Sequence, residues 1–302
     1  MTPRSTTRRR FETRLPLIAV ASFLAAAVAG GCGEAGGGPA ASLTVTRDFG
    51  ATPVVATRET PVTAGLTAMR QLQTHAKVDT AYGGRYVNAL DGIASDATGG
   101  KDWLYYVDGS QPDIGATSWR VKPGQRLQWD FHNWRDITTP EAVVGAFPRP
   151  FTATGAKLVC LPEDSPGCAA AGKRLKAAGI GAKPGWVRVV VGEWPRIADE
   201  AGVPQLGRPP ADSGAFASIT PDHKLQLLGV DGEIAGSYGA GSGLVAAARQ
   251  GTRVTWVVTG VDAGGVAAAA KLLDHKILNN NFAVAALPTG PAPIPLRRAA
   301  TQ

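Results

Sequence analysis

Asp102-Trp-Leu-Tyr-Tyr-Val107 is the segment that most limits how this 302-residue chain can fold. It is dense in aromatic residues, strongly β-prone, and runs straight into Asp108-Gly109, a tight hairpin signal. Such a strand needs partners, and its neighbours supply them. Leu43-Thr-Val-Thr-Arg-Asp-Phe49 alternates apolar and polar residues, as a half-buried strand does. Thr63–His75 places Leu66, Met69 and Leu72 on one helical face, with Thr63 as the cap. Tyr86–Ile93 reads as a strand entering a turn. Trp119–Val121 and Arg126–Phe131 read as two more strands around a Lys122-Pro-Gly-Gln125 turn. A strand, then a helix, then several strands predicts an α+β domain over residues 42–135, with one helix on a mostly antiparallel sheet.

Residues 136–150 read as a linker, and 151–296 as a mixed α/β domain. Its expected helices are Ala169–Ala178, Pro195–Ala201, Leu244–Gln250 and Val266–Leu278. Its expected strands are Trp186–Val191, Phe216–Ile219, Lys224–Gly229, Arg253–Thr259 and Phe282–Leu287. Residues 297–302 form a tail.

The other end carries an address. Arg4, Arg8, Arg9, Arg10 and Arg14 precede an apolar run from Leu15 to Val28, and Ala29-Gly30-Gly31-Cys32 closes it. Small residues before a cysteine are what a lipoprotein signal peptidase cleaves ahead of, so residues 1–32 are expected to be a signal peptide and Cys32 the lipidated residue. The alternative is a single membrane anchor, for which the run is short. Thr7–Phe11 partly matches a twin-arginine signal, which leaves the export route open. Residues 33–41 are Gly-rich and read as a flexible tether. Both readings place the rest outside the cytoplasm, on the outer face of the cell membrane.

Charge and cysteines agree with that location. Five Arg and one Glu in the leader account for +4 of the formal +7, so the remainder carries only +3 and gives no reason to expect a nucleic-acid partner. Cys160 and Cys168 flank a turn-like Pro- and Gly-containing segment. In an exported protein they are expected to form a disulfide, since the soft ligands a metal would need are lacking nearby.

The first unit resembles a known family through Trp103-Leu-Tyr-Tyr-Val-Asp-Gly109, Ile114-Gly-Ala116, Trp119, Pro123-Gly-Gln125 and Leu127-Gln-Trp129. These parts are similar to the strand, Gly-Ala dipeptide, turn and Trp-ending strand of the transcobalamin-like C-terminal domain, also carried as a domain of unknown function in bacterial surface proteins. Asp108 and Gln125 stand where the family pattern has Asn and Asp. The resemblance covers about residues 42–135, and it implies a β-grasp-like fold and capture of a small molecule, such as cobalamin or another corrinoid, for delivery to an uptake transporter. Cobalamin would be ligand rather than catalytic cofactor. The second unit resembles the companion of this domain in actinobacterial lipoproteins and brings no assigned activity.

Trp103, Tyr105, Trp119, Trp129 and His132 are the candidate ligand-binding residues. Exposed aromatic faces stack on flat ligands, although core packing is the ordinary fate of such residues. Trp103 and Trp119 rank first because they match the family's aromatic positions. Period-two geometry sets Trp103, Tyr105 and Val107 on one face of their strand and Leu104 and Tyr106 on the other, and one of these faces is open to exposure. Asp130 and His132 share a face. Two ligands do not make a metal site, so His132 reads as turn-stabilising by default and as an axial corrinoid ligand in the sharper case. Gly239–Gly243 lacks the Lys-Ser/Thr of a phosphate loop and reads as a turn into a helix. His75, His132, His223 and His275 are scattered, and no nucleophile elbow or zinc motif occurs, so a non-catalytic protein is expected. The alternatives are an envelope adaptor without a small ligand, or an enzyme in the second unit whose residues lie far apart in sequence.

Overall fold

A computed structural model describes residues 39–181, 187–200 and 202–297. The leader, Cys32 and residues 33–38 of the tether lie outside the described residues, as do 298–302. In chain order the first elements are β1 (Ala40–Arg47), β2 (Thr52–Pro61), α1 (Ala68–His75), β3 (Val78–Ala81), β4 (Tyr86–Leu90), β5 (Ile93–Ala94), β6 (Lys101–Val107) and β7 (Arg126–Asn133). Then come α2 (Phe151–Thr154), β8 (Lys157–Leu161), α3 (Pro166–Ala177), β9 (Val187–Glu193), α4 (Trp194–Ile197), β10 (Ala217–Ile219), β11 (Leu225–Leu228) and β12 (Ile234–Tyr238). The last are β13 (Gly243–Gln250), β14 (Arg253–Gly260), α5 (Ala263–Lys271), α6 (His275–Leu278), β15 (Ala283–Leu287) and β16 (Gly290–Ile294).

The N-terminal sheet has the order β2-β1-β7-β6, with β1 parallel to β7 and the outer pairs antiparallel. Helix α1 covers one face. Leu43, Val45, Leu127, Trp129, Trp103 and Val107 point that way and meet Met69 and Leu72. The helix starts at Ala68, not near Thr63, because Thr67 is the cap: its Oγ1 accepts from Arg70 N at 3.2 Å. Trp119–Val121 is not a strand. It runs extended beside the helix start, where Trp119 O accepts from Ala68 N and Val121 N donates to Leu66 O. Strands β3, β4 and β5 make a separate small sheet.

The C-terminal sheet has six strands in the order β16-β15-β13-β14-β9-β8. Strands β8, β9 and β14 are parallel, and the rest pair antiparallel. Helices α3 and α5 pack on one face around Val189, Val191, Val245, Trp256 and Val258. Leu244–Gln250, expected as a helix, is the central strand β13. It is flanked on both edges and mostly buried, and a strand buried on both faces loses the alternation that would have marked it. The single helix expected over Val266–Leu278 is two, α5 capped by Asp262 and α6 capped by Asp274. Cys160 in β8 and Cys168 in α3 are disulfide-bonded, with Cα atoms 5.7 Å apart.

The second face of this sheet shares a core with the first unit. Phe49 and Tyr106 pack with Leu244, Ala246, Val257, Phe216 and Phe282. Residues 136–150 do not behave as a loose connector, since Ile137, Val143, Val144 and Phe147 are buried. The approach of backbones is close at two glycines. A Cβ on Gly50 would lie 1.9 Å from Asn280 O, and one on Gly145 would lie 2.8 Å from Asn280 C.

Candidate functional site

The alternation that puts apolar side chains of β1 and β7 toward α1 puts polar ones on the opposite face. On β1 these are Ser42, Thr44 and Thr46, and on β7 they are Arg126, Gln128, Asp130 and His132. Register arranges them in rows. Glu59, Ser42 and Arg126 lie side by side on β2, β1 and β7. Deeper along the sheet, Thr44 Oγ1 meets Thr57 Oγ1 at 2.9 Å, and Gln128 Nε2 donates to Asn280 O at 2.9 Å.

Where the C-terminal unit covers this face, the polar groups are buried and largely satisfied. The Asp130 carboxylate accepts from Thr46 Oγ1 (2.6 Å), Phe49 N (2.9 Å), Gly50 N (2.7 Å) and His132 Nδ1 (2.8 Å). The His132 ring stacks on Phe49 at 4.6 Å and meets Phe282 edge-on. His132 Nε2 and the Tyr106 hydroxyl have no hydrogen-bond partner among the described residues. Burial, with the Asp130 charge adding to it, raises the Tyr106 pKa well above its ordinary value.

Where the cover ends, the same face opens into a cavity of about 480 Å³. Ala40, Ser42, Thr57, Glu59 and Arg126 form its floor, the Gly124-Gln125 turn one wall, and His275 and Asn279 of the α6 region the other. Arg126 is fixed there from both units: its backbone N donates to Asp108, Nη1 to Phe147 O (2.9 Å) and Nη2 to Asn279 Oδ1 (2.6 Å). Burial lowers the guanidinium pKa, and the charges of Asp108 and Glu59 act in the opposite direction. His275 Nδ1 lies 2.9 Å from Phe147 O, as a donor to that carbonyl would. Glu59, exposed on β2, makes no hydrogen bond or ion pair among the described residues that would commit its carboxylate elsewhere. The cavity thus presents a fixed cation, an exposed anion, hydroxyls and amides at the seam between two sheets.

The five residues expected to form one aromatic site are divided by the fold. Trp103 and Trp129 are enclosed on the α1 side, where Trp103 Nε1 donates to Ile93 O and Tyr105 stacks on Trp129 at 5.1 Å. Tyr105 is half-buried, donates to Ile114 O, and has its pKa pushed up to about 12 by burial. Trp119 is half-buried and reaches the cavity wall through Gln125 Oε1, 3.4 Å from its Nε1. His132 is on the other face, 1% exposed. The expectation that one face of β6 would be exposed is corrected, because Tyr106 is enclosed by the C-terminal unit just as Trp103 is by its own. The cavity residues Glu59, Ser42, Arg126, His275 and Asn279 were missed. The signal available was the period-two polar series Arg126, Gln128, Asp130, His132, of which only the last pair was read as sharing a face. Gly239–Gly243 leads into strand β13, so it is not the mouth of a helix. Among the described residues no cluster of three or more His, Cys, Asp or Glu is placed to hold a metal ion, and no helix is long and apolar enough to cross a membrane.

Residues 65–133 match a family profile described as a domain of unknown function (DUF4430). A search of curated proteins gives no match. Among solved structures, the chain is similar to a proposed metal-binding protein from Ruminococcus gnavus, at 12% identity and a TM-score of 0.25 over 31% of this chain and 96% of that one. It is also similar to haptocorrin in complex with Cbi, at 18% identity and a TM-score of 0.25 over 31% of this chain. The match spans a quarter of the haptocorrin chain.

Proposed function

We propose that this chain is a non-catalytic, extracytoplasmic lipoprotein that captures a small polar molecule at the seam between its two sheets and passes it to a membrane transporter. The observation that carries the reading is the cavity itself. It falls in the size range of small-molecule sites, lies between two structural units, and is lined by convergent polar groups held by a hydrogen-bonded scaffold. The Cys160–Cys168 disulfide supports an oxidising compartment, as the leader does. A corrinoid remains the ligand that the family resemblance brings forward.

The test is calorimetric titration of the full chain with cyanocobalamin, cobinamide and a panel of small polar solutes. Saturable one-to-one binding is expected for one of them. Thr57→Trp, at an exposed lining position, should fill the cavity and weaken binding at least about tenfold, while the loss of its hydroxyl contact with Thr44 costs only about 1 kcal/mol of stability. Absence of binding across the panel, or binding indifferent to Thr57→Trp, would overturn the reading. Exposed Val230 and Ile234 near the edge strand β12 are the observation that favours a second reading, an envelope adaptor docking through that edge.

A further inference from the structure

We infer that the ligand class of the seam cavity is a short zwitterion whose ammonium and carboxylate groups are several atoms apart, as in a dipeptide or an ω-amino acid. This rests on the reading of the cavity as a capture site and specifies what it captures. The argument comes from the row Glu59–Ser42–Arg126. Directly paired residues on neighbouring strands project to the same face, so the carboxylate and the guanidinium face the same space from either side of Ser42. Two inter-strand spacings put their Cα atoms about 10 Å apart. They form no salt bridge with each other, although the Glu59 charge is near enough to act on the Arg126 guanidinium through space. A cation and an anion held apart over a cavity leave room for a molecule of inverse polarity between them.

The two poles are built differently. Arg126 cannot swing away, because Phe147 O and Asn279 Oδ1 hold its two terminal nitrogens, and burial has already removed part of its water. A preset guanidinium recognises a carboxylate without first being ordered. Glu59 stands on the exposed edge strand beside the Thr57 and Ser42 hydroxyls, and those acceptors suit an ammonium group. A ligand with only one charge would leave the other pole facing it unpaired. An α-amino acid carries both charges on a single residue, whereas an extended dipeptide, about 7 Å long, sets them apart, as the two poles are rooted on strands either side of Ser42.

Calorimetry on the full chain decides this with glycylglycine, N-acetylglycylglycine, glycylglycinamide and cyanocobalamin as probes. Glycylglycine is expected to bind saturably, with each capped analogue about tenfold weaker, the loss of one charge-assisted contact. Glu59→Gln should erase the preference for glycylglycine over its N-acetyl form and leave the preference over the amide in place. Because Glu59 is exposed on an edge strand, this variant keeps the fold, and Thr57→Trp provides an independent block of the same space. Equal binding of capped and uncapped peptides would overturn the zwitterion assignment. So would cyanocobalamin binding that is sensitive to Thr57→Trp without glycylglycine binding, and in that case capture would stand. Binding of neither would remove both.

Discussion

Asp130 is the residue that ties strand β7 to β1 and to the β1–β2 turn. A carboxylate with no exposed surface accepts four hydrogen bonds, two of them from the backbone of the β1–β2 turn. Asp130→Asn keeps the shape but replaces one of the two carboxylate oxygens with an NH2 group, which then faces a backbone N–H in either orientation. A destabilisation of about 3 kcal/mol is expected, read from the urea midpoint. Tyr105 provides a pH signature. Its folded pKa, about 12, lies above the ordinary 10, so the folded state holds the proton more tightly than the unfolded chain. Its contribution is therefore complete below pH 10 and lost as pH rises from 10 to about 12. Urea midpoints measured across that window should fall, and Tyr105→Phe should flatten part of the decline. Tyr106 is shifted in the same direction and adds to the same slope.

At the scale of elements, what was legible depended on how many faces each strand buries. Strand β7 was readable from Arg126–Phe131 because its two faces differ in polarity, and β6 because its aromatic density has no helical equivalent. Strand β13 was not, because Leu-Val-Ala-Ala-Ala is apolar on both faces and a short apolar run has no period to read. Strand β2 escaped notice for the opposite reason: Pro53, Pro61 and a run of exposed residues mark an edge strand, whose outer side tolerates such residues. The cavity was harder still, since its lining comes from β1, β2, β7 and α6, and no local pattern announces that the fold will bring His275 beside Arg126. The disulfide was legible from spacing and compartment alone. It ties edge strand β8 to the start of α3, and replacing both cysteines by Ser should cost about 2–3 kcal/mol in thermal or chemical denaturation, the lower part of the usual range because the closed loop is short.

For the whole molecule, one aromatic cluster decides whether the two units melt separately. Phe282 of the C-terminal unit meets Phe49, Tyr106 and His132 of the first at 5.5, 5.4 and 5.4 Å. Calorimetry should show a single transition, and Phe282→Ala, which empties the centre of that cluster, should lower stability by about 3–5 kcal/mol and split or broaden the transition. A single transition of unchanged width in that variant would mean that the seam is held by the Arg126–Asn279 and Gln128–Asn280 hydrogen bonds instead.

Strand β1 runs from Ala40 to Arg47 between β2 and β7, bonded along both sides. Tension applied at Ala40 therefore runs along the axis of an inner strand. Its ladders must shear together rather than peel one bond at a time. A molecule moored by that end would hold its shape under drag, and the cavity, floored by the same strand, would keep its dimensions while the mooring is pulled.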